Sequence, residues 1–472
     1  RFDARGRMWV VEMGDYPTPP AANPAGLAEF RGRIKILSDP DHDGFFEQAE
    51  VFADNLLFPT GLQLFGDGAI VTLADKIVLM RQQPQSSGPD RTDGEAAGAV
   101  TATTWFTGFA DGNEQLRANH PTLTIENRIH IATGLRGGKV QSVDSRWPAS
   151  EQLVSLSQRD FEFDPHGGGW QPVAGNSQFG FHQDAAARRY VCSNRNPCEL
   201  LMAEVSQVQA NPLLPIAQWR VSIMPAAEQS RVFPLVDAWT TSNLHAGQFT
   251  AACGVYRYES DLLAGDLDKS FFACEPTGSL VQQYQTVADR LVPETQRGEA
   301  GREFLASRDP WFRPVSLSDG PDGGLYVVDM HRAVIEHPDW MPVELRNRAD
   351  LRWGDRAGRI YRIVPAGSAR SAAKQPDDLT AATDQELIRG LGSDNRWQRT
   401  TAGRLLFERS GRLGAEGRQR LAQAVRDRWL QGDGLSSRHG PIRGLWLVHS
   451  LQMLTRDDLS RAAAADSADL RR

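Results

Sequence analysis

No run of this sequence approaches the ~18 consecutive apolar residues needed to span a bilayer, which excludes membrane insertion within this segment. Basic residues are not in excess: 52 Lys and Arg against 59 Asp and Glu leave a formal charge of -7, which argues against a general nucleic-acid binder. Cysteine is scarce. The four present, Cys192, Cys198, Cys253 and Cys274, show neither the C-x-x-C spacing of a metal site nor the C-x-x-C-H of haem attachment. Two disulfides in an oxidising compartment would use them all, Cys253 with Cys274 and Cys192 with Cys198; the alternative is four separate buried thiols. The chain opens in mid-strand at Arg1 without an initiator Met, which is compatible with a leader that was cut or not captured.

Amphipathic helical periodicity is also missing up to about residue 365. What stands there instead is turn chemistry, with Gly 43 and Pro 27 in a chain of 472 residues. Pro321-Asp322-Gly323-Gly324 reads as a turn and Leu325-Tyr326-Val327-Val328 as the strand after it, closed by Asp329, His331 and Arg332. Asp3-Ala4-Arg5-Gly6-Arg7 before Met8-Trp9-Val10-Val11 has the same cadence. Further strands are expected over 33–37, 69–73, 76–80, 128–132, 189–193, 251–258 and 271–274. Aspartate-rich turns at Asp39 and Asp90 each lead to an aromatic strand, roughly 50 residues apart, a blade-sized period. Many short strands on such a repeat predict a β-propeller over residues 1–365.

The character changes after Ile360-Tyr361-Arg362-Ile363. Residues 366–378 suit a linker, and Thr383-Asp384-Gln385-Glu386 reads as a capping box opening a helix. Helices are expected over 395–408, 415–430, 441–454 and 457–465, so residues 379–472 form a short α-helical segment separable by proteolysis. Trp397 with Leu405-Leu406 and then Trp446, Leu451 and Leu454 recur at about one HEAT-type repeat, ~40–47 residues, an α-solenoid that the native chain is expected to continue.

Phe58-Pro59-Thr60-Gly61, Gln178-Phe179-Gly180 with Asp184, Ser193-Asn194-Arg195-Asn196-Pro197, Ala251-Ala252-Cys253-Gly254, Trp311-Phe312-Arg313-Pro314 and Asp329-Met330-His331-Arg332-Ala333-Val334-Ile335-Glu336-His337-Pro338 together closely resemble the propeller region of the large membrane-bound dehydrogenase family of bacteria. Arg396-Trp397-Gln398-Arg399 resembles that family's helical part. The resemblance implies a periplasmic or extracellular protein with a c-type haem domain downstream in the intact chain. It also implies a distant similarity to soluble sugar dehydrogenases that use pyrroloquinoline quinone (PQQ), and hence six blades, PQQ at one mouth of the central channel, and a sugar or related alcohol as substrate. By that similarity His120 is the catalytic base, and Arg195 with Asn196 contacts cofactor and substrate.

Such an oxidation needs a base poised near neutrality and a cation beside the quinone oxygen, which His120 and Arg195 supply by type. Loops at blade ends converge in a propeller, so His245, Arg313, His331 and Arg332 are further cofactor-binding candidates, and His120 and Arg195 are expected at one mouth. Asp39-Pro40-Asp41-His42-Asp43-Gly44, ending six residues on at Glu50, fits the D-x-D-x-D-G-x5-E calcium loop; Ca²⁺ would take Asp39, Asp41, Asp43 and Glu50, and a metal-free Asx turn is the alternative. A non-catalytic module that binds carbohydrate or a protein partner is the second functional reading.

Overall fold

A computed structural model of the chain describes residues 1–17, 29–83, 99–147, 153–204, 219–237, 246–336, 349–367 and 377–471, with single positions 207, 210, 213, 341, 343 and 346. Six antiparallel sheets succeed one another along the chain as the six blades of a propeller. The inner strands of blades 2 to 6 are Gly61–Phe65, Asn119–Leu123, Phe181–Gln183, Cys253–Arg257 and Pro314–Asp319. All five line one central cavity. In blade 1 the innermost position is held by Phe2, which bridges to Met8 at the start of the Met8–Glu12 strand.

The repeated turn has a common chemistry. Asp3 accepts the amides of Arg5 and Arg7 at 2.9 and 3.0 Å and the Arg7 Nε at 2.8 Å. Asp184 does the same for Ala186, Arg188 and the Arg188 Nε at 3.0, 2.9 and 2.6 Å. An aspartate at the end of an inner strand thus organises the turn into the second strand, and the arginine four residues on neutralises it. Leu325–Asp329, the β-branched and aromatic run behind Pro321-Asp322-Gly323-Gly324, is the middle strand of blade 6. One hairpin crosses between blades: Gly138–Ser142 and Val154–Ser155 leave blade 3 and extend the outer edge of blade 2, pairing with Val100–Phe109. Trp105, Phe106, Trp147, Phe161 and Phe163 pack edge-on and tilted beneath it, so the two blades share an aromatic core.

Blades approach most closely where inner strands begin. A Cβ on Gly254 would lie 2.6 Å from the Val315 carbonyl oxygen, and one on Gly180 2.9 Å from the Gly254 nitrogen, so only glycine fits between these blades.

The helices lie at Asp384–Gly390, Arg396–Ser410, Ala415–Trp429, Gly440–Ser450 and Arg456–Ala464, with a final turn at Ala468–Arg471. Thr383 caps the first in the expected capping box. Most of the 366–378 linker lies outside the described residues, as does the Asp90 turn. The helices cover the end of the channel where inner strands finish. Trp397 Nε1 donates to the Asp3 carbonyl at 3.2 Å, Arg396 Nη1 meets Glu259 at 2.9 Å, and Arg399 Nη2 donates to the Glu259 carbonyl at 2.9 Å. One hydrophobic cluster joins Phe2, Met8 and Tyr326 of the blades to Leu387, Trp397, Leu406 and Trp429. Apolar surface of each layer is thus buried by the other.

The disulfides expected from the sequence are corrected. Cys253 and Cys274 are direct cross-strand neighbours in blade 5, but all four cysteines are free, buried thiols. They give no support to export.

Candidate active site

The cavity along the propeller axis measures about 1840 Å³ and runs from the open mouth, where inner strands begin, to the helices that close the other end. That volume exceeds the ~300–1,000 Å³ of ordinary ligand pockets. Of the residues expected at the mouth, His120, Arg313 and Arg332 line it.

His120 owes its place to a bulge. The pairing of its strand slips between Asn119 and Thr122, and His120 takes φ 49°. The inner strand of blade 5 slips in the same way between Cys253 and Tyr256, and there the left-handed residue, at φ 59°, is Gly254. A histidine thus occupies a conformation that a sister blade gives to glycine, at a cost of about 1–2 kcal/mol.

Three neighbours hold the ring. Nδ1 lies 3.1 Å from Asn119 Oδ1, Nε2 is 3.5 Å from Ser316 Oγ, and Phe179 packs edge-on at 4.9 Å between centroids. Asn119, fully buried, spends its amide nitrogen on the carbonyls of Arg117 and Gln178 at 2.9 and 2.8 Å. Its Oδ1 is therefore an acceptor, which puts the imidazole proton on Nδ1 and makes Nε2 an acceptor, with Ser316 Oγ as its 3.5 Å neighbour. Burial, reinforced by the Arg1 guanidinium, pushes the His120 pKa down to about 3. The ring is neutral at pH 7.

This has a consequence for stability. An unfolded histidine takes up a proton below pH ~6.5, whereas folded His120 resists until about 3. Acidification across that window favours the unfolded chain, so stability is lost as pH falls. His120→Asn is expected to flatten the slope between about pH 6 and about pH 4 by up to ~1.4 kcal/mol per unit, read by denaturant titration. Glu275 and Asp319 titrate in overlapping ranges, burial raising them to about 7 and about 6, but the difference between wild type and variant cancels them.

The cations are placed differently from the sequence reading. Arg195 lies in the turn between the second and third strands of blade 4, and its Nη2 bonds Gln248 Oε1 at 2.9 Å and Glu228 Oε1 at 3.1 Å. It does not line the cavity; its neighbour Asn194 does. Asn196 Nδ2 folds back onto Ser193 Oγ at 3.1 Å. His331 is buried against Trp311, with Nδ1 3.4 Å from Asp329 Oδ2, and also stays off the wall. His245 lies outside the described residues.

Arg313 reaches the cavity, but its guanidinium clips four carbonyls, those of Pro276, Thr277, Arg332 and Ala333. Arg332 has capacity to spare. Its Nη2 donates to the Met13 carbonyl at 3.1 Å, and its buried Nη1 has no hydrogen-bond partner among the described residues. The sequence reading missed Asn119, although a polar residue next to a candidate base is a usable signal. Glu275 was missed too: it anchors the Thr250 and Ala251 amides at 3.1 and 3.0 Å where they form the wall.

The aspartate loop gathers three of its four expected ligands. Carboxylate oxygens of Asp39, Asp41 and Asp43 lie within 4.8 Å of one another. Glu50 does not join them; it sits on the strand Gln48–Leu56 with its carboxylate 3.6 Å from Arg7 Nη1. The loop also satisfies itself, Asp39 accepting the Gly44 and Asp43 amides at 2.8 and 3.2 Å and Asp43 that of Phe45 at 2.7 Å. As built this is an Asx turn, and the residues present do not complete a calcium shell.

No curated protein matches the chain. Among solved structures, it is similar to a glucose dehydrogenase described as a putative oxidoreductase from Thermus thermophilus, at 14% identity and TM-score 0.39 over 75% of this chain and 99% of that one. It is similar also to the PQQ domain of a pyranose dehydrogenase from Coprinopsis cinerea, at 12% and 0.34 over 68% and 92%. A luciferin-regenerating enzyme matches at 10% and 0.37 over 71% and 88%. Residues 1–367 match the model of a family described as a domain of unknown function, and by that match the chain belongs to the DUF7133 family.

Proposed function

We propose that the open mouth of the channel is the active site of a quinoprotein-like dehydrogenase that oxidises a sugar or related alcohol. The observation that carries this reading is His120: a neutral imidazole, strained into the wall, with its tautomer set by Asn119 so that Nε2 faces the cavity as an acceptor. Such a group can take the proton of a substrate hydroxyl.

The residues present suit a flat, acidic cofactor of the PQQ type. Arg332 Nη1, buried and unsatisfied, would meet a carboxylate or quinone oxygen, and the cavity has room for cofactor and substrate together. When bound, such a quinone accepts the hydride. Phe179 and the glycine-lined wall exclude water from one side of His120. An anionic partner beside His120 favours the imidazolium, and so raises its pKa from about 3 toward the working range. Arg195 is then a blade tie and Arg332 the charged contact.

Passage of electrons to a haem domain and a periplasmic location belong to the same reading. The test is reconstitution: purified protein with PQQ, an artificial electron acceptor and a panel of sugars and sugar alcohols. Turnover that requires both PQQ and a hydroxylated substrate supports the assignment; no turnover with any of them, despite PQQ binding, transfers the weight to a non-catalytic carbohydrate-binding role.

A further inference from the structure

The closed end of the channel has a chemistry of its own. It lies beneath the helices, at the opposite end from His120, and is lined by Arg396 and Arg404 of the Arg396–Ser410 helix, by Arg443 of the Gly440–Ser450 helix, and by His182 and Asp319 of the blades. Most of these charges are matched. Arg396 is paired with Glu259 at 2.9 Å and donates to the Gln183 carbonyl at 3.0 Å, and Arg404 meets Glu408 at 2.9 Å.

Arg443 is not matched. Its guanidinium makes no hydrogen bond and no ion pair with any described residue, and its Nε is buried without a partner. Burial, with Arg399 and Arg396 adding their like charge, lowers its pKa to about 9. Glu259 and Glu126 act on it only from a distance, and a desolvated guanidinium that faces a cavity without a direct partner is costly to keep. It is relieved by an anion in that cavity.

Two further unsatisfied atoms face the same space and say what else the anion carries. Asp319 Oδ1 is buried without a partner, and its other oxygen accepts from Ser260 Oγ at 3.0 Å. His182 Nε2 is also unpartnered, on a ring that burial and the nearby arginines keep neutral. Arg396, Arg443, Asp319 and His182 all line the one cavity. A carboxyl oxygen and an imidazole nitrogen are partners for hydroxyl groups rather than for a second negative charge.

We propose that the helix-capped end of the channel is a second binding site, for a small hydroxylated organic anion whose carboxylate or phosphate pairs with Arg443 and whose hydroxyls reach Asp319 and His182. Its contacts come from both layers, Arg443 from the helices and Asp319 and His182 from blades 6 and 4, so the ligand ties the helical cap to the propeller.

Isothermal titration calorimetry on the full chain tests this without any turnover. The probes are glucuronate, glucose 6-phosphate, inorganic phosphate and neutral glucose, at constant ionic strength set with sodium chloride. Glucuronate or glucose 6-phosphate should bind through Arg443, whichever does so identifying the oxyanion, and any binding of glucose at the mouth should be indifferent to substitution of Arg443. Arg443→Gln should weaken that binding by tenfold or more, since a charge-assisted bidentate contact is lost. Arg443→Lys, which keeps the charge without the fork, should retain part of it and serves as the second variant if the first does not fold. Binding of neither hydroxylated anion, binding unchanged in a folded Arg443 variant, or binding of inorganic phosphate alone would overturn the proposal.

Discussion

His120→Asn is expected to lower the turnover of reconstituted protein by about 10²–10⁴-fold, the usual loss when a positioned general base is removed. Asparagine is the informative replacement because it tolerates the left-handed backbone that His120 holds at φ 49°. The bulge and the fold survive, while the Nε2 acceptor is lost. The effect should fall on kcat rather than on KM, because the ring acts on the proton transferred in the transition state. A variant in which kcat is unchanged and only KM rises would make His120 a wall residue.

Trp397→Ala should produce the largest loss of stability. Trp397 is buried at the junction of the two layers and bonds the Asp3 carbonyl through Nε1, so truncation opens a cavity in the shared core and leaves that carbonyl only the Gly6 amide. Removing a buried Trp costs about 3–5 kcal/mol, a large share of a typical ~5–15 kcal/mol. Trp397→Phe, which keeps a ring and gives up the hydrogen bond, should cost less, about 1–2 kcal/mol. Propeller and helices should melt in one transition in wild type. A Trp397→Ala protein whose blades melt as before, with only the helical signal shifted, would show two independent layers.

The elements most legible in the sequence are those whose pattern is local. Leu325-Tyr326-Val327-Val328 behind a Pro-Asp-Gly-Gly turn could hardly be anything but a strand, and the strand ends at Asp329 as expected. The Thr383 capping box and the four longer helices after it follow from equally local signals. Site residues were read less well, because spacing says which loop a residue is on and not which way it turns. Asn194 and Arg195 are adjacent, yet one faces the cavity and the other turns to Gln248 and Glu228. Arg313 lines the cavity, but only the three-dimensional structure reveals the four carbonyls that occupy it.

The arginines of the helices were the hardest to anticipate. Arg399 is fully buried inside a helix, against the habit of charged residues to face water, because Glu259 of blade 5 waits beneath it. Pairing across the sequence distance from 259 to 399 leaves no mark on either local pattern. For the same reason Cys253 and Cys274 were correctly matched as neighbours yet incorrectly joined: register brings their strands opposite each other, and nothing in register makes a bond.

The most direct measurement of the central claim is a crystal structure of the protein soaked with PQQ. The account predicts the quinone in the open mouth, with an oxygen within hydrogen-bond distance of Arg332 Nη1 and the His120 ring beside the quinone edge, Nε2 open to a substrate hydroxyl. Quinone seated away from His120, or a mouth that stays empty at saturating PQQ, would contradict it.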